Sequence, residues 1–100
     1  MNDSLITDTS RLIEKDFDLA LKEGVDTESD LLEWLKPHVQ LLLNRDFERL
    51  LQICYRIDLG ENLLKKILHE SQPEQMVVDL SLAIIRRQKL KIEIRRKYSS

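Results

Sequence analysis

The sequence has little of what cross-links or punctuates small proteins: one cysteine, two glycines, two prolines and 5% aromatic residues in a chain of 100. The single cysteine, Cys54, excludes a disulfide within the chain. With only His38 and His69 beside it, the chain has too few cysteine and histidine ligands for a structural zinc site. Few glycines and prolines also leave little turn signal for β-hairpins. These shortages favour a helical protein held together by packing.

Long apolar runs are missing as well, since the longest uninterrupted one is the four residues Leu82 to Ile85. A helix needs about 20 predominantly apolar residues to cross a bilayer, so we expect no membrane span. Residues 1–9 contain neither a basic segment nor an apolar one, so no signal peptide is expected. From these observations we expect a cytoplasmic protein.

The residues that are plentiful indicate a folded helical domain. The chain is 42% apolar and 34% charged with a formal net charge of -2, which is close to the globular average. Leu, Glu, Lys and Arg are abundant and are strong helix formers. We predict an all-α protein: a compact bundle of four to five helices, in one domain spanning residues 1–100, with a long, basic C-terminal helix.

Apolar residues at helical spacing mark the first two helices. The first is predicted to end at Gly24, because glycine readily takes the left-handed backbone that follows a helix. Thr27 and Asp30 have capping-box spacing at the start of the second. Pro37 lies inside the second pattern and either bends one helix or starts a new one. The predicted buried faces are Leu12, Ile13, Phe17, Ala20 and Leu21, then Leu31, Leu32, Leu35, Val39, Leu42 and Leu43.

Two shorter helices are predicted next. Asn44 or Asp46 caps the third helix. Asp58 and Glu61 have capping-box spacing, which predicts that the fourth helix begins at Leu59. The predicted buried faces are Phe47, Leu50, Leu51, Cys54 and Ile57 in the third helix, and Leu63, Leu64, Ile67 and Leu68 in the fourth.

The last helix is predicted to run from Pro73 to Tyr98, with Ser71 and Glu74 as its capping box. The tight connections before it argue against a simple up-and-down bundle. Residues 90–94 alternate in polarity like a strand, but their composition and the lack of a preceding turn favour continued helix. Around Ile84 the helix is apolar nearly all round, which predicts complete burial.

No catalytic arrangement stands out. His38 and His69 lie far from each other and from Cys54, which falls on a buried stripe where a thiol is inert. Gly60 could serve the turn of a helix-turn-helix, but the helix from Glu61 to Glu70 balances its charges and offers few groups for reading bases. We therefore expect no enzyme, no cofactor and no metal site.

Charge is distributed unevenly along the chain. Residues 1–36 contain ten acids and four bases, whereas residues 86–100 contain seven bases and one acid. A basic tail can bind nucleic acid, or it can pair with the acidic half within the chain or across a dimer. At 100° per residue the bases scatter round the helix, so pairing within the chain is favoured and a nucleic-acid-associated role is the alternative. The bases are Arg86, Arg87, Lys89, Lys91, Arg95, Arg96 and Lys97.

The last helix also carries an apolar seam. Met76, Leu80, Ala83, Arg87, Leu90 and Ile94 follow alternating four- and three-residue steps, the pattern of a coiled coil. Its 26 residues make it about 39 Å long, against roughly 34 Å for a domain of this size. We therefore expect the end to project, unless an N-terminal helix folds back over it. A carboxylate from the acidic N-terminal half, of this chain or of a second one, is expected to face Arg87, which interrupts the seam.

A second apolar pair, Trp34 and Leu41, lies opposite the main stripe of the second helix and is either a further buried face or a contact patch. We predict a non-catalytic protein–protein interaction or structural module that acts by helix–helix docking, most simply with a second copy of itself as a homodimer. The candidate contact residues are Trp34, Leu41, Arg87, Leu90, Ile94 and Tyr98.

Overall fold

Five α-helices form in the part of the chain that the computed structural model describes, residues 4–20 and 24–98. They are α1 (Ser4–Phe17), α2 (Glu28–Arg45), α3 (Phe47–Arg56), α4 (Glu61–Glu70) and α5 (Pro73–Tyr98). The predicted all-α class and the long basic C-terminal helix are confirmed, and residues 90–94 are helical. The radius of gyration of 13.4 Å is that of a compact bundle.

The start of α2 forms the predicted capping box. The Asp30 N–H donates to Thr27 Oγ1 at 3.1 Å, and the Thr27 N–H donates back to Asp30 Oδ2 at 3.1 Å. The hydrogen bond from the Asp26 N–H, and after it the hydrogen bonds with Thr27, lower the pKa of the Asp30 carboxyl. Helix α2 then continues through Pro37 as one helix. Pro37 is exposed, so water can bind the carbonyl oxygen that it leaves without a helical partner.

Helix α1 ends earlier than the sequence suggests. Asp18, with φ 54°, takes the left-handed conformation, and the Leu19 N–H donates to the Glu14 carbonyl at 2.9 Å. These are the features of a Schellman motif. The prediction that Gly24 ends the helix is therefore wrong, because a short polar aspartate can occupy the left-handed position instead. Leu21, predicted on the buried face, lies outside the described residues.

The turn between α3 and α4 repeats this motif. Asp58 has φ 61°, and the Leu59 N–H donates to the Cys54 carbonyl at 3.0 Å. Asp58 thus ends α3 and does not cap α4, which begins at Glu61 after Gly60 in a left-handed conformation. The predicted start at Leu59 is wrong for this reason. At the other end of α3, the side chain of Asp46 is the N-cap.

Helix α5 lies at the centre of the core and packs mainly against α1 and α2. Leu80, Ile84 and Ile85 are fully buried, which confirms the prediction for Ile84. Helix α4 lies beside the first half of α5, and Ser71 at its end donates its hydroxyl to Asp79 Oδ2 at 2.6 Å.

Three residues predicted in the buried faces are exposed: Ala20, which lies beyond the end of α1, Phe47 and Leu63. Phe47 and Leu63 have 42% and 43% of their surface accessible. On an ideal helix Leu63 lies about 70° from the centre of the apolar face of α4, while Leu64 and Ile67 lie nearer that centre and are buried. Helix α4 therefore faces α5 with the middle of its apolar face and leaves one edge open.

A matched pair of isoleucines on α5 tests this packing. We expect Ile84→Ala to lower the free energy of unfolding by about 2–5 kcal/mol, because it opens a cavity in a closed core. We expect Ile94→Ala, on the exposed side of the same helix, to cost less than about 1 kcal/mol. Urea unfolding of both variants measures the difference, and equal losses would contradict the orientation of α5.

Candidate interaction surface

The side of α5 that faces away from the core forms a continuous apolar strip. We call Ala83, Arg87, Leu90, Ile94 and Tyr98 the outer face of α5. Leu90 is 45% exposed, Ile94 47% and Tyr98 77%. Their spacing keeps them within about 80° of one another round the helix, beside the buried side, with Tyr98 on the same line as buried Leu80 five turns earlier. The C-terminal half of α5 thus has a covered side and an open apolar side.

Helix α1 covers only the inner side of this half. Ile92 is buried, and Gln88 Nε2 donates to Asp16 Oδ2 of α1. Helix α1 therefore folds back along α5, but it packs on the Gln88 and Ile92 side and does not cover the apolar seam, as the alternative to a projecting helix end required. Leu90 and Ile94 consequently stay exposed beside it.

A groove between α4 and α5 extends the outer face towards the N-terminal half of α5. Its volume is about 410 Å³. The floor and walls are mostly apolar, and exposed Leu63 of α4 faces exposed Leu90 of α5 across it. Sequence reasoning missed this groove because it assigned Leu63 to the core. The signal was the width of the apolar face of α4, which is broader than one helix contact covers.

The positive charge of Arg87, within the outer face, is paired with a carboxylate of the same chain. Its Nη2 is 3.2 Å from Asp58 Oδ2, and its Nε donates to the Ile57 carbonyl at 3.3 Å. A carboxylate therefore faces Arg87 as expected, but the predicted source in the acidic N-terminal half is wrong. The left-handed turn at Asp58 carries the carboxylate to the edge of α5.

Carboxylates of the N-terminal half pair with other bases of α5. Lys89 Nζ lies 3.4 Å and Arg86 Nε 3.7 Å from Glu28 at the start of α2. Arg96 Nη2 lies 2.7 Å from Asp8 of α1. The predicted pairing within the chain thus occurs at these positions. Exposed pairs of this kind are worth about 0.2–1 kcal/mol each, enough to orient helices but not to hold the fold.

Four charged residues in the C-terminal half of α5 lie outside this compensation. Lys91, Arg95 and Lys97 have no ion pair among residues 4–20 and 24–98, and neither does Glu93. Lys97 Nζ lies 5.8 Å from the centre of the Tyr98 ring. The end of α5 therefore presents basic groups and one carboxylate around an apolar strip.

Trp34 and Leu41 lie in different environments. Trp34 is half-buried against the core, and its ring lies 5.3 Å from that of His38. Leu41 is exposed and lines a different pocket, beside Phe17 and Leu19. The structure therefore places Trp34 in a packing role and leaves Leu41 exposed on its own, away from the outer face of α5.

The residues with reactive side chains are not brought together. His69 lies exposed in the last turn of α4, while His38 sits beside Trp34 on α2. Among the described residues, no three His, Cys, Asp or Glu side chains are placed to hold a metal ion. No helix in that part of the chain, α5 included, is both long and apolar enough to cross a membrane.

Cys54 provides a test of the chemistry of the core. Burial raises the pKa of its thiol to about 11 from an ordinary value of 9.0. At pH 8 the thiolate fraction then falls by about 100-fold. We expect alkylation by iodoacetamide to be at least that much slower in the folded protein than in guanidinium. Equal rates in the two states would contradict a closed environment around Cys54.

Comparison of the chain with protein families, curated proteins and solved structures gave no match. The function of the surface is therefore inferred from its exposure, charge and shape.

Proposed function

We propose that this protein is a non-catalytic interaction module that docks a partner helix on the outer face of α5 and in the groove beside it. The observation that carries the proposal is the exposure of Leu90 and Ile94, which continue the coiled-coil register of α5, and of the neighbouring Tyr98, while Gln88 and Ile92 on the side covered by α1 are buried. Apolar residues in register on a soluble domain are typical of a binding site.

The shape of the surface supports a helical partner. The groove offers exposed Leu63 on one wall and exposed Leu90 on the other. Beyond it Ile94 and Tyr98 extend the apolar strip by two further turns of α5. A partner helix that lies along this line covers all of these side chains with one apolar face.

A non-catalytic role fits the state of the reactive groups. The Cys54 thiol is buried and its pKa is raised to about 11, so it is protonated at neutral pH. The two imidazoles are on different helices, α2 and α4, with His38 against the Trp34 ring. Among residues 4–20 and 24–98, neither imidazole is hydrogen-bonded to a serine or cysteine, the arrangement that activates a protein nucleophile.

The nucleic-acid alternative is less well supported. Four of the seven bases, Arg86, Arg87, Lys89 and Arg96, already lie within 4 Å of carboxylates of the same chain. The remaining three point in directions about 40–160° apart round α5 on an ideal helix. A phosphate backbone is followed best by bases along one line, so we favour a protein partner.

The proposal predicts the size of the native assembly. In extracts of cells that make the protein and are chemically cross-linked before lysis, so that weak complexes survive dilution, we expect the full chain to elute above its monomer mass of 11.8 kDa. Leu90→Lys with Ile94→Lys should shift it to the monomer position, because two charges enter an apolar contact. Immunoblotting of gel-filtration fractions gives the readout.

Matched variants control for surface charge and for catalysis. Tyr55→Lys changes an exposed apolar residue on α3, and His38→Ala and His69→Ala remove the imidazoles. All three should leave the elution unchanged. A folded Leu90→Lys, Ile94→Lys protein that still elutes with the native assembly would contradict the proposed docking surface.

A further inference from the structure

We propose that the partner helix is α5 of a second copy, docked antiparallel across a two-fold axis, so that each copy places the C-terminal half of α5 in the groove of the other. This inference rests on the proposed function and names the occupant of the same surface. The outer face carries charges and side-chain sizes that complement themselves in this arrangement.

The sizes of the apolar side chains set the register. In a coiled-coil pattern the outer face alternates two kinds of position, with Arg87 and Ile94 at one and Ala83 and Leu90 at the other. A two-fold axis midway between Arg87 and Leu90 has Ile94 and Ala83 at equal distances from it, about 8 Å along the helix. The large side chain of Ile94 then meets the small side chain of Ala83 in the groove.

The charges beside the strip fit the same register. Arg86 and Glu93 are seven residues apart, so they lie on one flank of α5, about 20° from each other. A two-fold axis between antiparallel helices brings the same flank of each helix together. With the axis placed as above, Glu93 of one copy lies within about 3 Å, along the helix axis, of Arg86 of the other. Two reciprocal ion pairs result.

Both members of this pair are available. Arg86 has 69% of its side chain accessible and is only 3.7 Å from Glu28 at its nearest approach. Glu93 is exposed and has no ion pair among the described residues. A parallel arrangement would instead set Arg86 against Lys91 of the second copy, with like charges facing each other. The charge pattern therefore selects the antiparallel arrangement.

Arg87 does not oppose the contact. Asp58 and the Ile57 carbonyl already bind its guanidinium at the edge of the outer face. Its aliphatic stem remains for packing against Leu90 of the second copy. The contact also covers Leu63, whose exposure on α4 otherwise has no structural use.

Sedimentation equilibrium of the full chain tests the inference. Each copy contributes only the C-terminal half of α5 and one groove to the contact, so we expect an interface below the standard size of about 1,600 Å² and a weak dimer. The series of protein concentrations should therefore extend to about 1 mM. We expect Arg86→Glu and Glu93→Arg each to weaken self-association at least about tenfold, because each replaces two attractive pairs by two repulsive ones. Arg95→Glu, the same charge change on the α1 side, is the matched control and should leave it within about twofold of wild type.

Mixing the two variants separates the proposed pairing from general charge effects. In a mixed dimer the Arg86→Glu chain carries carboxylates at both positions of the pair, and they face guanidinium groups at both positions of the Glu93→Arg chain. Equimolar Arg86→Glu and Glu93→Arg proteins should therefore associate at least about as tightly as wild type. A mixture no tighter than the single variants would overturn the inference, as would a wild-type chain that is monomeric at about 1 mM.

The two proposals fail separately. A monomeric wild-type protein whose native assembly is still lost on Leu90→Lys, Ile94→Lys substitution would overturn the second copy as occupant and keep the docking surface. A purified dimer with the expected charge dependence, in cells where those substitutions leave the native assembly unchanged, would overturn the proposed function and keep the dimer.

Discussion

Burial of the inner side of α5 is the constraint on which the rest of the structure depends. Leu80, Ile84 and Ile85 are inaccessible to solvent between α1 and α2, and each buried aliphatic side chain contributes about 1.5–3 kcal/mol. A helix of 26 residues is about 39 Å long, close to the longest dimension of the molecule, 40 Å. The other four helices are too short to enclose it, so the outer face of α5 stays open beyond Ala83.

Ion pairs join α5 to the two helices that cover it but contribute little to stability. Glu28 at the start of α2 and Asp8 on α1 lie beside bases of α5. These ion pairs neutralise part of the basic C-terminal helix. Glu93 and the accessible part of the Arg86 guanidinium stay open to contacts with another chain. The acidic N-terminal half and the basic C-terminal helix thus mostly pair with each other within the chain, and a few charges stay unpaired at the outer face.

Sequence reasoning succeeded where local chemistry decides the outcome. The capping box of Thr27 and the burial of Ile84 depend on neighbours within one helix or on a strongly apolar segment. It failed where tertiary contacts choose between local options. Asp58 can cap a helix or end one, and packing of Leu59 into the core settles that choice. The width of the apolar face of α4 indicates that one edge stays open, but which edge is open depends on how α4 is rotated against α5.

The most direct test of the account is a disulfide between Ile94→Cys and Ala83→Cys chains mixed in equal amounts. In the proposed register, position 94 of one chain lies level with position 83 of the other, so that their Cα atoms fall within the roughly 7 Å that a disulfide allows. Position 94 of one chain lies about 16 Å, measured along the helix, from position 94 of the other, and the same holds for position 83. Native Cys54 is buried and does not compete. We predict that the mixture, after mild oxidation, yields covalent dimers on non-reducing gels and that neither variant alone does. Equal cross-linking in all three samples, or none in the mixture, would contradict it.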